Sequence, residues 1–176
     1  MGFNFEELDD EIRKLMLEEI ELDIQNKKLF LSPRLNHHGQ SEYPELLKKA
    51  VGDGNEEKLA NNLNVENYWE EKEPRRTKNG VKYYNIPYNA NSVLAEGEFN
   101  RFYIRAICIK AIADDLQIEI YRAKEVQNPR SESGRIIGQT RDPNELLNDL
   151  RENIGLNTVL RLPPGPNSGL SIRFKR

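Results

Sequence analysis

One segment, residues 92–115, constrains the fold of this chain more than any other. At helical spacing its apolar residues surround most of the circumference: Phe99, Phe102, Tyr103, Ala106, Ile107, Ile109, Ala111 and Ile112. A helix that is apolar nearly all round must be covered by neighbours on several sides. We therefore predict a long, buried central helix, on which Arg101 and Arg105 form a narrow polar ridge.

The rest of the chain offers little apolar material with which to cover such a helix. Only 37% of the 176 residues are hydrophobic, and 31% are charged. A chain of this length corresponds to about one domain, so the few apolar segments must converge on the same helix. We therefore predict one compact domain built around residues 92–115.

Residues 1–63 supply the first segments that can cover the helix. Between residues 5 and 25 the apolar residues recur at helical spacing, and Asn4 is the predicted cap. Two shorter helical patterns follow, over residues 41–52 and 56–63. Residues 1–63 are therefore predicted to form a helical N-terminal section.

Residues 92–176 combine the central helix with strand patterns. Residues 116–121 alternate apolar and polar side chains, which predicts a half-buried strand. The Asp-Pro-Asn-Glu sequence at 142–145 predicts the start of a further helix. Two strand patterns, 159–162 and 170–174, flank a PPGPNSG turn and predict a C-terminal hairpin. The predicted fold class is α+β, with an N-terminal helical section, a long buried central helix and a small, mostly antiparallel sheet.

Residues 64–91 differ from both flanking parts because they are polar and rich in aromatic residues. The aromatic side chains that we single out as candidate contact residues are Trp69, Tyr83, Tyr84 and Tyr88. The Lys-Asn-Gly sequence at 78–80 is typical of a type I′ hairpin turn. These features predict an extended arm or a projecting β-hairpin whose aromatic residues pack on another surface. The alternative interpretation is a mobile linker.

Charge is divided unevenly along the chain. Residues 1–73 hold 18 acidic and 9 basic residues, whereas residues 74–176 hold 11 acidic and 17 basic residues, 12 of them arginine. An acidic part and a basic part are complementary, so copies of such a chain can meet head to tail in a repeated assembly.

The arginines of the basic part are the second group of candidate contact residues. They are Arg101, Arg105, Arg122, Arg130 and Arg135. Arginine binds phosphate in a bidentate manner, so these residues could contact nucleic acid. Acidic residues are interleaved with them, however, and arginine and tyrosine are both enriched in protein–protein interfaces. We therefore rank protein contact above nucleic-acid contact.

No pattern in the sequence indicates catalysis or a bound cofactor. His37 and His38 are adjacent, without an acid or cysteine at the spacing of metal ligands. Cys108 lies between apolar residues, where a buried structural side chain is the expected role. We predict that the chain is not an enzyme and has no catalytic residue, cofactor, metal or small-molecule substrate. The longest apolar run is far shorter than the ~20 residues that cross a bilayer, so no membrane partner is predicted.

Several stretches together carry a resemblance to known sequences. They are FNFEELDDEIRKLMLEEIELDI, LFLSPRL, EGEFNRFYIRAICIKAI, EIYRAKEVQNPRSES and LPPGPNSGLSIRF. Over residues 3–50 and 92–174 the chain resembles small uncharacterised proteins found among the structural genes of tailed bacteriophages and prophages. The variable middle is outside this resemblance, and no catalytic residues come with it.

The resemblance implies a role in the virion or in its assembly. Head decoration, minor capsid and head–tail connecting proteins are the implied classes. The implied partners are other copies of the chain and other virion proteins, and the implied location is the virion, assembled in the host cytoplasm. A nucleic-acid-binding module that uses the Arg-rich C-terminal part is the first alternative. A small enzyme is the second.

Overall fold

Helices from both halves of the chain cover the predicted central helix. The computed structural model describes residues 2–129, 131–155 and 168–176. In chain order the helices are α1 Asp10–Gln25, α2 His37–Asp53, α3 Glu56–Asn62, α4 Ala90–Asp114, α5 Ser131–Ile136 and α6 Pro143–Glu152. The strands are β1 Lys72–Thr77, β2 Gly80–Asn85, β3 Ile118–Arg122, β4 Thr140–Arg141 and β5 Leu170–Phe174. The prediction of an α+β fold with a long central helix and small antiparallel sheets is confirmed.

The central helix α4 is buried on nearly every side. Every residue from 101 to 108 is buried, and α1, α3, α6 and β5 all contact the helix. The prediction of a polar ridge is wrong, because Arg101 is only 6% exposed and Arg105 only 1% exposed. The neighbouring elements supply an acid and a carbonyl group that accept hydrogen bonds from these two guanidinium groups inside the core.

The first helix begins later than the sequence predicts. The carboxylate of Asp9 accepts a hydrogen bond of 2.8 Å from the backbone amide of Ile12, so Asp9 caps α1 and Asn4 does not. Phe5 therefore precedes the helix, and its ring packs on Tyr103 of α4 with a centroid distance of 4.6 Å. The aromatic residues at the start of the chain extend the core beyond α1.

The second helix begins earlier than predicted, at His37. The side chain of Asn36 caps it by accepting a hydrogen bond of 2.9 Å from the backbone amide of Gly39. Pro44 consequently lies inside α2 and not at its start. A proline in this position leaves one carbonyl of the preceding turn without its usual helical donor.

The three-stranded sheet packs one face against α4. Its order is β4-β3-β5 and all pairs are antiparallel, with Ile120 opposite Ile172. Both of these isoleucines are fully buried. The strand predicted at 170–174 is confirmed, and it pairs with β3. The strand predicted at 159–162 and most of the PPGPNSG turn lie outside the described residues.

The two remaining strands form a separate β-hairpin. β1 and β2 pair along their whole length, from Lys72 opposite Asn85 to Thr77 opposite Gly80. No residue of either strand is buried. The prediction of a type I′ turn is wrong, because that turn needs a positive φ at both central residues, and here the positive φ, 104°, falls on Gly80. The Thr77 hydroxyl closes the turn by donating a hydrogen bond of 2.8 Å to the Gly80 carbonyl oxygen.

Candidate protein-contact site

One face of the hairpin carries exposed apolar side chains. Residues directly opposite each other in an antiparallel pair share a face, so Pro74 lies beside Tyr83, and Arg76 lies beside Val81. The Tyr83 side chain is 68% exposed and Val81 is 55% exposed. We call these four residues the apolar face of the hairpin. The described part of the chain leaves this face largely uncovered.

The opposite face of the hairpin is tied to the body by an ion pair. The Arg34 side chain donates hydrogen bonds of 2.6 and 3.2 Å to the two carboxylate oxygens of Glu73. These bonds, with a further bond from Arg75, outweigh partial burial and lower the pKa of Glu73. The Arg75 guanidinium carbon also lies 5.0 Å from the centre of the Tyr84 ring. This face is therefore attached to the body at Glu73, while Tyr84 on the same face is 41% exposed.

Both strands of the hairpin have a free edge. Among the described residues, β1 and β2 pair as strands only with each other, in a two-stranded sheet. An isolated two-stranded hairpin is marginally stable in water, and an open strand edge can pair with a strand of another chain. The hairpin therefore has both side chains and backbone groups available for a partner.

A cleft of about 450 Å³ lies at the base of the hairpin, and we call it the stem cleft. Trp69, Ile86 and Pro87 are among its apolar lining residues. The indole nitrogen of Trp69 donates a hydrogen bond of 2.7 Å to the carbonyl oxygen of Leu63, which fixes the ring in place. Tyr88, which is 98% exposed, also lines the cleft.

The hairpin and the stem cleft carry opposite charge. The hairpin, residues 72–85, holds five basic residues and a single acid, Glu73. The stem cleft is lined by the exposed acids Glu66, Glu70 and Glu71, and none of its lining residues among the described ones is basic. A basic projection and an acidic recess therefore lie on the same molecule.

The structure divides the aromatic candidate residues between these two features. Tyr83 lies on the apolar face and Tyr84 on the opposite face of the hairpin. Tyr88 and the half-buried Trp69 line the stem cleft. All four therefore belong to one continuous region made by the hairpin and its base.

The structure does not bring the arginine candidates into that region. Arg122 is half-buried, and its Nη1 donates a hydrogen bond of 3.1 Å to the carbonyl oxygen of Ser168. Arg135 is exposed on the short helix α5. Arg130 lies outside the described residues. The remaining two, Arg101 and Arg105, lie inside the core.

Arg105 is the centre of a buried charge network. Its Nε donates a hydrogen bond of 2.7 Å to Glu19, and its Nη1 and Nη2 donate bonds of 2.6 and 2.9 Å to Asp23. Arg151 of α6 also donates to Glu19, at 3.0 Å from its Nε. Burial raises the pKa of Glu19, but the bonds from Arg151 and the charge of Arg105 outweigh it, so the pKa is lowered. The network joins α1, α4 and α6 and has a structural role.

Arg101 occupies a second buried position on α4. Its Nη1 donates hydrogen bonds of 3.3 and 3.0 Å to the carbonyl oxygens of Leu150 and Asn153, at the end of α6. Its Nε lies 3.4 Å from the carboxylate of Glu98, whose pKa is raised by burial. These contacts attach the end of α6 to the central helix. Arg101 and Arg105 are therefore unsuited to contacts with a partner.

The cysteine and the two histidines lie in different environments. Cys108 is fully buried, and burial raises the pKa of its thiol to about 12, which keeps it protonated near neutral pH. His37 and His38 are exposed at the start of α2. Within the described ranges, no group of three metal-binding side chains comes together. In the same part of the chain, no helix has both the length and the apolar character needed to cross a bilayer.

Two sets of acidic residues were not predicted from the sequence: those that bind Arg105 in the core and those that line the stem cleft. Glu19 and Asp23 are four residues apart within the apolar stripe of α1, and that spacing was the available signal for a buried basic partner. Glu66, Glu70 and Glu71 flank Trp69 in sequence. Their common position in a cleft depends on the distant residues that close it, so the local sequence gave no signal.

Comparison with known proteins assigns no family or function to this site. No family model matches the chain, and neither does any curated protein or any solved structure.

Proposed function

We propose that the chain is a non-enzymatic structural or assembly protein of a bacteriophage virion that acts through protein–protein contacts. Head decoration, minor capsid and head–tail connecting proteins are the classes that fit this proposal. The chain is assembled into the particle in the host cytoplasm. The hairpin and the stem cleft are its contact surfaces.

The apolar face of the hairpin is the observation that carries this proposal. No strand residue of the hairpin is buried by the chain itself, although Val81 and Tyr83 are large apolar side chains. Such a hairpin gains little stability from its own two strands. A partner that covers the apolar face, or adds a strand to a free edge, would supply the missing contacts. The hairpin is therefore better suited to contact with a partner than to stabilising the fold of its own chain.

The bacteriophage part of the proposal comes from the sequence resemblance. The resemblance covers residues 3–50 and 92–174, which hold most of the helices and the three-stranded sheet, whereas α3 and the hairpin fall in the variable middle of the chain. A shared body with a variable contact element is expected of proteins that occupy similar positions on different particles. Loops and projections vary more than the core because their changes affect few internal contacts.

Nucleic-acid binding through the Arg-rich C-terminal part is the alternative. Its weakness is that Arg101 and Arg105 are buried and that Arg122 is half-buried. Contacts to phosphate would also make the affinity fall steeply as salt is raised. A strictly monomeric chain whose affinity for DNA shows that salt dependence would favour the alternative.

Gradient-purified phage particles provide the test of the proposed function. Particles released from cells that carry the gene are separated by density, treated with nuclease and probed with an antibody against the chain. We expect the chain to migrate with the particles at a fixed number of copies per particle. An abundant host cytoplasmic protein serves as the control for contamination. A chain that stays in the soluble fraction while the particles are free of it would contradict the proposal.

A further inference from the structure

We propose that the chain binds a second copy of itself head to tail, with the hairpin tip of one copy seated in the stem cleft of the next. This inference rests on the proposed function and names the partner for its contact surfaces. The occupant of the stem cleft is therefore a β-hairpin with the sequence of residues 72–85, which carries both basic and exposed apolar side chains.

Charge complementarity is the first argument for this occupant. The bases nearest the hairpin tip are Arg76, Lys78 and Lys82, and all three are exposed. The acids of the stem cleft, Glu66, Glu70 and Glu71, are exposed as well. Three bases thus face three acids when the tip enters the cleft. Such complementarity directs which surfaces meet and increases the rate at which they associate.

The apolar side chains are the second argument. The hairpin offers Val81 next to its tip and Tyr83 midway along β2 without cover, and the cleft offers an apolar lining that includes Trp69, Ile86 and Pro87. Aromatic side chains buried in a recess commonly anchor protein interfaces, and a ring of polar contacts commonly surrounds them. A volume of about 450 Å³ lies within the roughly 300–1,000 Å³ that is typical of concave binding pockets.

The length of the hairpin requires the occupant to come from another copy. Each strand has six residues, so at about 3.3 Å per residue the tip lies roughly 20 Å from the base. Glu71 and Ile86, which flank the two strands, both line the stem cleft. The tip of a hairpin cannot fold back into a cleft at its own base. The complementary surfaces on one molecule can therefore meet only between molecules.

The two surfaces differ from each other, so the contact is heterologous. A bound pair therefore still presents a free cleft on one copy and a free tip on the other. Repetition of such a contact gives a closed ring or an open chain of copies. Rings and repeated arrays are the forms of assembly that a virion component needs.

Reversal of charge on each surface separately, followed by mixing, tests the contact. The tip variant is Lys78→Glu with Lys82→Glu, and the cleft variant is Glu66→Lys with Glu70→Lys. In a sample of either variant alone, the tip and the cleft carry charge of the same sign and repel each other. We therefore expect self-association to weaken on the order of a hundredfold. An equimolar mixture pairs each reversed surface with an opposite charge and should recover assemblies of wild-type size. Sedimentation velocity at low ionic strength measures all four samples.

A matched control separates a local contact from a general effect of net charge. Lys28→Glu with Lys49→Glu changes the net charge as much as the tip variant does, at exposed positions far from the hairpin in sequence. We expect this control to associate like the wild type. Loss of association in the control, or failure of the two reversed variants to assemble when mixed, overturns the inference.

The proposed function and this inference can fail separately. A wild-type chain that stays monomeric at every concentration but still migrates with phage particles overturns head-to-tail binding and leaves the virion role in place. A chain that forms the mixed assemblies but is absent from particles overturns the virion role and leaves the contact between copies in place.

Discussion

Arg105→Ala is expected to lower the free energy of unfolding by about 3–5 kcal/mol, because it leaves buried carboxylates without their cation. The Arg105 side chain is 1% exposed, and the side chains of Glu19 and Asp23 are 5% and 8% exposed. Water cannot readily take the place of the lost guanidinium group at such positions. Urea denaturation followed by circular dichroism at pH 7 measures the change.

Arg76→Ala is the matched control for this experiment. Arg76 is exposed on the hairpin, and surface substitutions of this kind usually change stability by no more than about 0.5 kcal/mol. If Arg105→Ala costs no more than Arg76→Ala, the buried charge network does not hold the helices together. A large loss in both variants would show that the hairpin is part of the core.

The cost of Arg105→Ala should also depend on pH. In the wild type the pKa of Glu19 lies below its ordinary value of 4.5, because its arginine partners outweigh the effect of burial. The corresponding stabilisation is complete above the unfolded-state pKa and is lost as the pH falls through the lowered folded-state pKa. The difference between wild type and variant should therefore shrink as the pH falls below about 4.5. A difference that stays constant between pH 7 and pH 3 would show that the loss of Arg105 acts through packing alone.

Phe102→Ala is expected to cost about 3–5 kcal/mol, the second large effect. The Phe102 side chain is fully buried near the middle of α4, and the Arg105 guanidinium carbon lies 4.9 Å from the centre of its ring. Removing the ring leaves a cavity among elements that close on α4 from several sides, so little of the cavity can collapse. Tyr88→Ala, at a side chain that is 98% exposed, is the aromatic control and should change stability by less than about 1 kcal/mol.

The measured cost of Phe102→Ala decides whether α4 is the centre of the fold. Urea denaturation of the two aromatic variants under the same conditions gives the comparison. A loss under about 1 kcal/mol for Phe102→Ala would be inconsistent with a fully enclosed ring. It would place the core elsewhere in the chain.

The elements that sequence predicted correctly are those with strong local signals. α4 follows from apolar residues around a whole circumference, and β5 follows from strict alternation over residues 170–174. The start of α6 follows from Asp142, whose carboxylate accepts a hydrogen bond of 2.9 Å from the Glu145 amide. In each case the deciding residues lie within the element that they predict.

The features that sequence did not predict depend on contacts between distant residues. Arg105 is separated from Glu19 by 86 positions, so the sequence shows a charged residue on α4 but not the acid that allows its burial. The choice between Asn4 and Asp9 as the cap of α1 depends on whether Phe5 is drawn into the aromatic cluster of the core. Asn4 and Asp9 both meet the local rules for a helix cap, so those rules do not choose between them.

The contact site was predicted in part. The aromatic residues of the segment 64–91 and its hairpin could be read from the sequence, because a turn signal separates two polar strands. The stem cleft could not, because it forms where Trp69 bridges to Leu35 and where the Ile86 amide donates to the Glu71 carbonyl oxygen. Those pairings place the acids around an apolar recess, which their order in the chain does not reveal.

Residues 72–85 are proposed to make contacts with partners and not to hold the fold, and their replacement tests this most directly. The Ile86 amide already donates a hydrogen bond of 3.2 Å to the Glu71 carbonyl oxygen, so a two-residue Asn-Gly turn can join these residues in place of the hairpin. The body loses the partly exposed ion pair between Arg34 and Glu73, which is worth about 1 kcal/mol or less.

The measurement on this variant is the free energy of unfolding together with the number of copies in gradient-purified phage particles. We predict cooperative unfolding within about 1 kcal/mol of the wild type and a copy number at the background of the contamination control. Loss of cooperative unfolding would show that the hairpin is part of the core. A folded variant that enters particles at the wild-type copy number would show that the hairpin is not the contact element.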